Sequence, residues 1–175
     1  MGHRLPRLFA FYSLNFGQEK SDFEPERHRS MQITRATDYA VRIMVYLAMQ
    51  PHERKVPLSE LADAGEAPES FASKVLQRLA LCGLVNSSRG RRGGFQLARR
   101  AETTSLLQVV EAMEGPLQIN LCLSGEQTCD RKSWCAVHPI WARAQQAMLS
   151  VLRSASIADL AAQTALNKAQ PAAAQ

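Results

Sequence analysis

Between Ala36 and Leu97 the hydrophobic period changes in a fixed order, and that order restricts the fold more than any single residue does. Ala36, Tyr39, Ala40, Ile43, Met44 and Leu47 fall at the i, i+3, i+4, i+7 spacing of an amphipathic helix, which Pro51 ends. After a short link, Ser59 is placed to cap a brief helix over Glu60 to Ala64, with Gly65 marking its exit. Pro68 then opens a third helix that runs to Gly83, with Glu69 near its positive end. Leu84 and Val85 begin a strand, Ser87 to Gly94 form a basic glycine-containing turn, and Phe95, Gln96 and Leu97 return.

Helix, short helix, third helix and basic hairpin, in that order, predict a winged helix-turn-helix. The expected fold is mainly α with a small β-hairpin, extended by a long C-terminal dimerisation helix. The third helix divides into an apolar face (Ala72, Val75, Leu76, Leu79) and a polar one (Ser70, Ser73, Lys74, Gln77). In a winged helix the polar face lies in the major groove, so those four side chains are the candidates for base edges and phosphates. Residues 89–100 hold Arg89, Arg91, Arg92, Arg99 and Arg100 with no acid among them, against a formal charge of +5 for the whole chain. Arg89, Arg91 and Arg92 therefore suit phosphates or a narrow minor groove, where the negative potential is deepest. A solvated polar face is the bland alternative for an isolated helix; the adjoining acid-free wing argues against it.

Beyond the hairpin, Ser105 to Met113 reads as helix, apolar at Leu106, Val109, Val110 and Met113, and ended by Gly115 and Pro116. A longer helix follows the cysteine-bearing loop at about 122–138. Its stripe of Ile140, Ala144, Ala147, Met148, Val151 and Leu152 is too apolar to stay in water, so it is expected to pair with a second copy of the chain. The organisation read from the sequence is thus four parts. Residues 1–30 form a disordered extension or follow from a start codon assigned too far upstream, and 31–100 the DNA-binding domain. Residues 101–162 form the cofactor loop and dimerisation helices, and 163–175 a disordered tail. No stretch of about 18 apolar residues exists to span a membrane. The apolar run from Leu8 to Phe16 is broken by Ser13 and Asn15 and lacks a small-residue cleavage site, so the expected compartment is the cytoplasm.

Cys122, Cys129, Cys135 and His138 follow the spacing C-x6-C-x5-C-x2-H. In a reducing compartment three thiolates so placed are a metal site sooner than disulfide partners, and thiolates suit iron–sulfur clusters and zinc alike. Only Cys135 and His138 have the tight two-residue gap usual in closed zinc sites, so spacing alone leaves both metals open. His138, ahead of Pro139, is otherwise a plain helix-start residue. The fourth cysteine, Cys82, beside Leu81 and Leu84, reads as a small core residue. Trp134 and Trp141 read as packing for the loop and the long helix. No Ser/His/Asp grouping, phosphate-binding glycine loop or paired carboxylates point to an enzyme.

Met31 to about Ala162 resembles the IscR/NsrR family of winged-helix regulators, the Rrf-two superfamily. The strings that carry the likeness are MQITRATDYAVRIMVYLA (31–48), LQRLALCGLVNSSRGRRGGFQLARR (76–100) and SIADLA (156–161). Members commonly show RGPGGGY in the wing; here Arg91 and Arg92 stand where proline and glycine are usual, which adds phosphate-binding charge. The resemblance implies a homodimer on double-stranded DNA with a roughly palindromic operator. It also implies an iron–sulfur cluster, 2Fe-2S or 4Fe-4S, held by Cys122, Cys129 and Cys135. IscR-like members have five residues between the first two cysteines where this chain has six. Their fourth ligand is a histidine placed as His138 is, whereas NsrR-like members use an aspartate from the partner subunit at the position of Asp38. The competing role for Asp38 is a surface ion pair with Arg42, four residues on. The rivals to this reading are the same fold with structural zinc, a cofactor-free thiol switch, and a small iron–sulfur electron carrier; the last leaves the basic wing and the two-faced helix unexplained.

Overall fold

The computed structural model describes residues 33–90, 93–124 and 129–170. Its contacts divide the chain into Met1–Ser30 and Met31–Gln175. The first unit, and with it the expectation for residues 1–30, lies outside the described residues.

The second unit is built around α1 (Arg35–Ala48), capped by Thr34, whose hydroxyl accepts from the Thr37 amide. Ala40, Ile43 and Met44 are fully buried and Leu47 nearly so, as their spacing demands. Against this stripe lie α2 (Leu58–Gly65) and α3 (Glu69–Leu81), whose Leu61, Ala62, Ala72, Val75, Leu76 and Leu79 complete the core. The strands β1 (Val85–Ser88) and β2 (Gly94–Leu97) pair antiparallel, Val85 opposite Leu97 and Ser88 opposite Gly94. The hairpin strands thus run further toward the turn than the sequence suggested.

Two details of the short helix differ from expectation. Ser59 does not cap the helix, because α2 starts two residues earlier with Pro57 in the cap position. Gly65 is not the left-handed exit: it is the last helical residue, and Glu66 takes the left-handed conformation at φ 54°. The absent side chain at Gly65 serves close packing instead, since a Cβ there would lie 3.0 Å from Cγ1 of Ile43 on α1.

The link before α2 is also more than a connection. The Val56 amide donates to the Phe95 carbonyl at 2.9 Å, and the Phe95 amide returns a bond to the Val56 carbonyl at 2.8 Å. Val56 is fully buried and gives the hairpin a third, one-residue strand. Nothing in its pattern of neighbours signalled this, because a single bridge residue has no period.

The helix α4 (Leu106–Glu114) opens on a capping box between Ser105 and Gln108. It buries Leu107, Val109, Val110 and Ala112, which turns its inner face by about one residue from the one expected, leaving Leu106 and Met113 half-buried. The long α5 (His138–Ser154) buries no residue at all. Its Ile140 and Val151 are 55% and 68% exposed, so the apolar stripe lies open in the single chain.

A last helix, α6 (Ile157–Ala169), corrects the expected tail: residues 163–169 are helical, and only residues 171–175 lie outside the described part. It begins at a second capping box, Ser156 with Asp159, and its Ile157 and Ala161 are buried, Ile157 in the core cluster built around α1. Its start is tied to that of α4. The Leu106 amide donates to the Ala155 carbonyl and the Ile157 amide to the Thr104 carbonyl, both at 2.8 Å. The DNA-binding core expected to end near residue 100 thus includes α4 and α6 in one packed unit.

Gly94 tests the three-strand wing. Its φ of +151° and a Cβ position only 2.7 Å from the Val56 carbonyl oxygen leave no room for a methyl group. Gly94→Ala is expected to destabilise the chain by about 1–3 kcal/mol through forced separation of the Val56–Phe95 pair. A urea unfolding curve followed by circular dichroism checks this, and an unchanged midpoint would mean that the pairing contributes nothing.

Candidate nucleic-acid interface and cysteine segment

α3 turns Ser70, Lys74 and Gln77 to solvent and half-buries Ser73, while its apolar face is closed in the core. Three of the four predicted contacts thus share one accessible face at helical spacing, and Ser73 borders it. Arg89, directly after β1, is exposed. Neither Lys74 nor Arg89 takes part in a salt bridge among the described residues, so both charges remain available to an outside anion. Arg91 and Arg92 lie outside the described residues.

Asp38 sits in the first turn of α1 and pairs with Arg42, Oδ2 to Nη2 at 2.9 Å. The same guanidinium donates to Glu66 Oε2 at 2.5 Å, joining α1 to the left-handed exit of α2. The hydrogen bond that Arg42 donates to Glu66 and the charge of Asp38 hold Arg42 above its ordinary pKa. All three groups are well exposed, and water screens them.

The cysteine segment leaves α4 at Gly115. Cys122 lies in a short 3-10 turn, Leu121–Leu123, with its amide donating to Asn120 Oδ1; Cys129 and Cys135 flank the turns that lead into α5. The three are half-buried free thiols. His138 opens α5, its amide donating to the Cys135 carbonyl at 3.3 Å. Its side-chain Nδ1 is buried and has no hydrogen-bond partner among the described residues. Among the described residues no three of His, Cys, Asp or Glu are grouped closely enough to hold a metal ion. The donor types, three soft thiols and an unsatisfied imidazole nitrogen in one segment, nevertheless fit a thiolate-bound metal group.

One expectation is corrected here. Cys82 is exposed: α3 ends at Leu81, and Cys82 occupies the cap position, where its Sγ lies 3.9 Å from the Ala112 carbonyl. Neighbouring Leu81 is 85% exposed, because the helical phase that buries Val75 and Leu79 carries it to the outer face. The two tryptophans lie open in the single chain. Trp134 is 71% exposed with the Arg131 guanidinium 5.8 Å from its ring, and Trp141 is 38% exposed.

A helical trio, an accessible polar face on its third helix and an antiparallel hairpin rich in arginine define a winged helix-turn-helix DNA-binding protein. The chain belongs to the Rrf2 family, described as an iron-dependent transcriptional regulator, which residues 33–163 match. It is 32% identical over 131 residues to the HTH-type transcriptional regulator NsrR of Shouchella clausii, covering 74% of this chain and 88% of that protein. Among solved structures it is similar to CymR (YrzC), the global cysteine regulator of B. subtilis. That match has a TM-score of 0.62 at 26% identity over 75% of this chain and 97% of that one. T. potens IscR shares the fold, with a TM-score of 0.59 at 24% identity over 82% of this chain and 92% of that one. The protein is a DNA-binding transcription regulator, and its relatives are regulators, not enzymes. Among the described residues no helix is long and apolar enough to cross a membrane.

The geometry separates two roles of Asp38. As a member of an exposed ion pair it contributes little to folding, so Asp38→Ala in metal-free protein is expected to change stability by no more than about 0.5 kcal/mol. Chemical denaturation reads this directly; a loss several times larger would show that the Arg42 clamp holds α1 to α2.

Proposed function

We propose that this regulator is a cytoplasmic homodimer, paired through α5, that binds a roughly palindromic operator and whose grip on DNA is set by an iron–sulfur cluster. Cys122, Cys129 and Cys135 would hold the cluster, with His138 or Asp38 of the partner subunit as fourth ligand. Such a cluster supplies a centre whose charge and integrity respond to redox state, nitric oxide and iron supply.

The observation that carries the reading is His138 Nδ1. A buried polar atom left without a partner costs about 1–3 kcal/mol, and this one stands three residues from Cys135 at the head of the exposed helix. A metal ligated at the imidazole removes that penalty, either by taking Nδ1 itself or by fixing the ring so that Nδ1–H finds an acceptor. The thiols contribute soft anionic ligands, and the chain around them supplies half-buried surroundings that limit solvent access.

The remaining residues act on DNA. Ser70, Ser73 and Gln77 offer hydroxyl and amide groups that donate and accept at base edges, Lys74 neutralises a phosphate, and Arg89 with Arg91 and Arg92 grips the backbone or the minor groove. The open apolar side chains of α5, Ile140, Trp141 and Val151, support pairing through that helix and with it the two-fold arrangement. A ligand alters DNA affinity only by favouring one geometry of the two winged domains over the other.

Anaerobic purification of the full chain, with an absorption spectrum and iron, sulfide and zinc analysis, tests the reading. Coloured protein with iron and sulfide in stoichiometric amounts is the expected result; one zinc per chain makes the site structural, and neither metal leaves the cysteines as a thiol switch. Loaded and metal-stripped protein should then differ in affinity for a duplex selected from a randomised pool by the wild-type chain, and equal affinities sink the control mechanism. If the dimer makes about 6–10 phosphate contacts, raising salt from roughly 50 to 200 mM should cost about three to five decades in that affinity. Cys135→Ala should abolish iron retention, and of His138→Ala and Asp38→Ala the one that does the same identifies the fourth ligand.

A further inference from the structure

The last turn of α4 is tied at once to the recognition helix and to the start of α1. Its Ala112 carbonyl, near the helix end and so short of intrahelical partners, accepts from Arg78 Nε of α3 at 2.8 Å and faces the Cys82 thiol. Two residues on, Oε1 of Glu114 accepts from the Thr34 amide at 3.0 Å, from the Thr34 hydroxyl at 2.6 Å and from the hydroxyl of fully buried Thr37. Those donors form the N-terminus of α1, so a carboxylate occupies the positive end of that helix dipole. Asp38 lies in the same first turn. Directly after Glu114 the chain turns at Gly115, with φ +83°, into the segment that carries the cysteines.

We infer that Arg78 and Glu114 are positioning residues that make the DNA affinity of α3 depend on the state of the cysteine segment. The inference rests on the cluster-control reading above. On its N-terminal side the cysteine segment joins the core at this turn. A shift of the α4 end moves two anchors together: the Ala112 carbonyl, which fixes the C-terminal half of α3, and the Glu114 carboxylate, which fixes the first turn of α1. Neither residue needs to touch DNA or metal. These bonds cross between helices, so losing the Arg78 bond loosens α3 from the α4 end and losing the Glu114 bonds loosens α1 from it, while the apolar core of the helices stays in place.

Arg78→Met and Glu114→Gln in the full chain test it. Affinity for the selected duplex is measured with loaded and metal-stripped protein, alongside iron content, thermal unfolding, affinity for an unrelated duplex and the salt dependence of binding. The expected result is a ratio of loaded to stripped affinity that moves toward one by at least about fivefold in each variant, at wild-type iron content. A wild-type ratio of one overturns the cluster-control reading and this inference together. A wild-type ratio well away from one that both variants preserve overturns this inference alone. If Glu114→Gln fails to fold, the exposed Arg78→Met decides. An affinity loss in Arg78→Met shared by the unrelated duplex, with the salt slope reduced by about one, makes Arg78 a phosphate contact and overturns its positioning role.

Discussion

Burial of α1 on most of its circumference is the constraint on which the rest of the unit depends. Ala40, Ile43, Met44 and Leu47 face α2 and α3 on one side and α4 and α6 on the other. Each large side chain of this kind contributes about 1.5–3 kcal/mol when fully removed from water. The helix can serve so many neighbours because Gly65 lets α2 approach closely and because Thr37, its one fully buried polar side chain, is satisfied by Glu114. With α1 fixed, α3 has one way to lay its apolar face down, and its polar face is left outward. The accessible polar face of α3 is thus what remains of that helix after the core has been made.

Much of this was legible in the sequence, for reasons particular residues make clear. α1 and α3 announce themselves because their apolar residues keep a 3.6-residue period over three turns, and the hairpin because glycine and arginine break the pattern abruptly after Leu84. The α2 boundary was read two residues late, since Pro57 at the cap position carries no side-chain oxygen for a capping rule to find. Cys82 was placed inside because the apolar period of α3 points there; the helix stops first, and the chain turns away at Gly83. α6 was missed for a different reason. Its alanine-rich sequence has a weak apolar contrast, and only the Ser156 to Asp159 capping box signalled a start.

The candidate metal centre was legible as chemistry and not as geometry. Spacing identifies donors; it does not say how a segment of irregular turns folds, because no period governs one. The single chain leaves the three thiols and His138 apart from any three-donor group among the described residues, while α5 beside them stays uncovered. Both features belong to the same forty-residue stretch, whose packing is incomplete within one chain.

That stretch leaves from the far end of α4 and comes back to its start. The paired bonds between Leu106 and Ala155 and between Ile157 and Thr104 fasten the start of α6 to the start of α4, so the chain from Leu106 to Ala155, with α4 as its first part, closes on a fixed door. Closing a longer excursion between two pinned ends adds only about 0.6 kcal/mol for each doubling of length. An added residue in that excursion therefore costs the framework beneath it little stability. A six-residue gap between Cys122 and Cys129 in place of five is a change of the kind such an architecture absorbs. The cysteine-bearing part of the chain can thereby change in length at little cost to the helices that hold it.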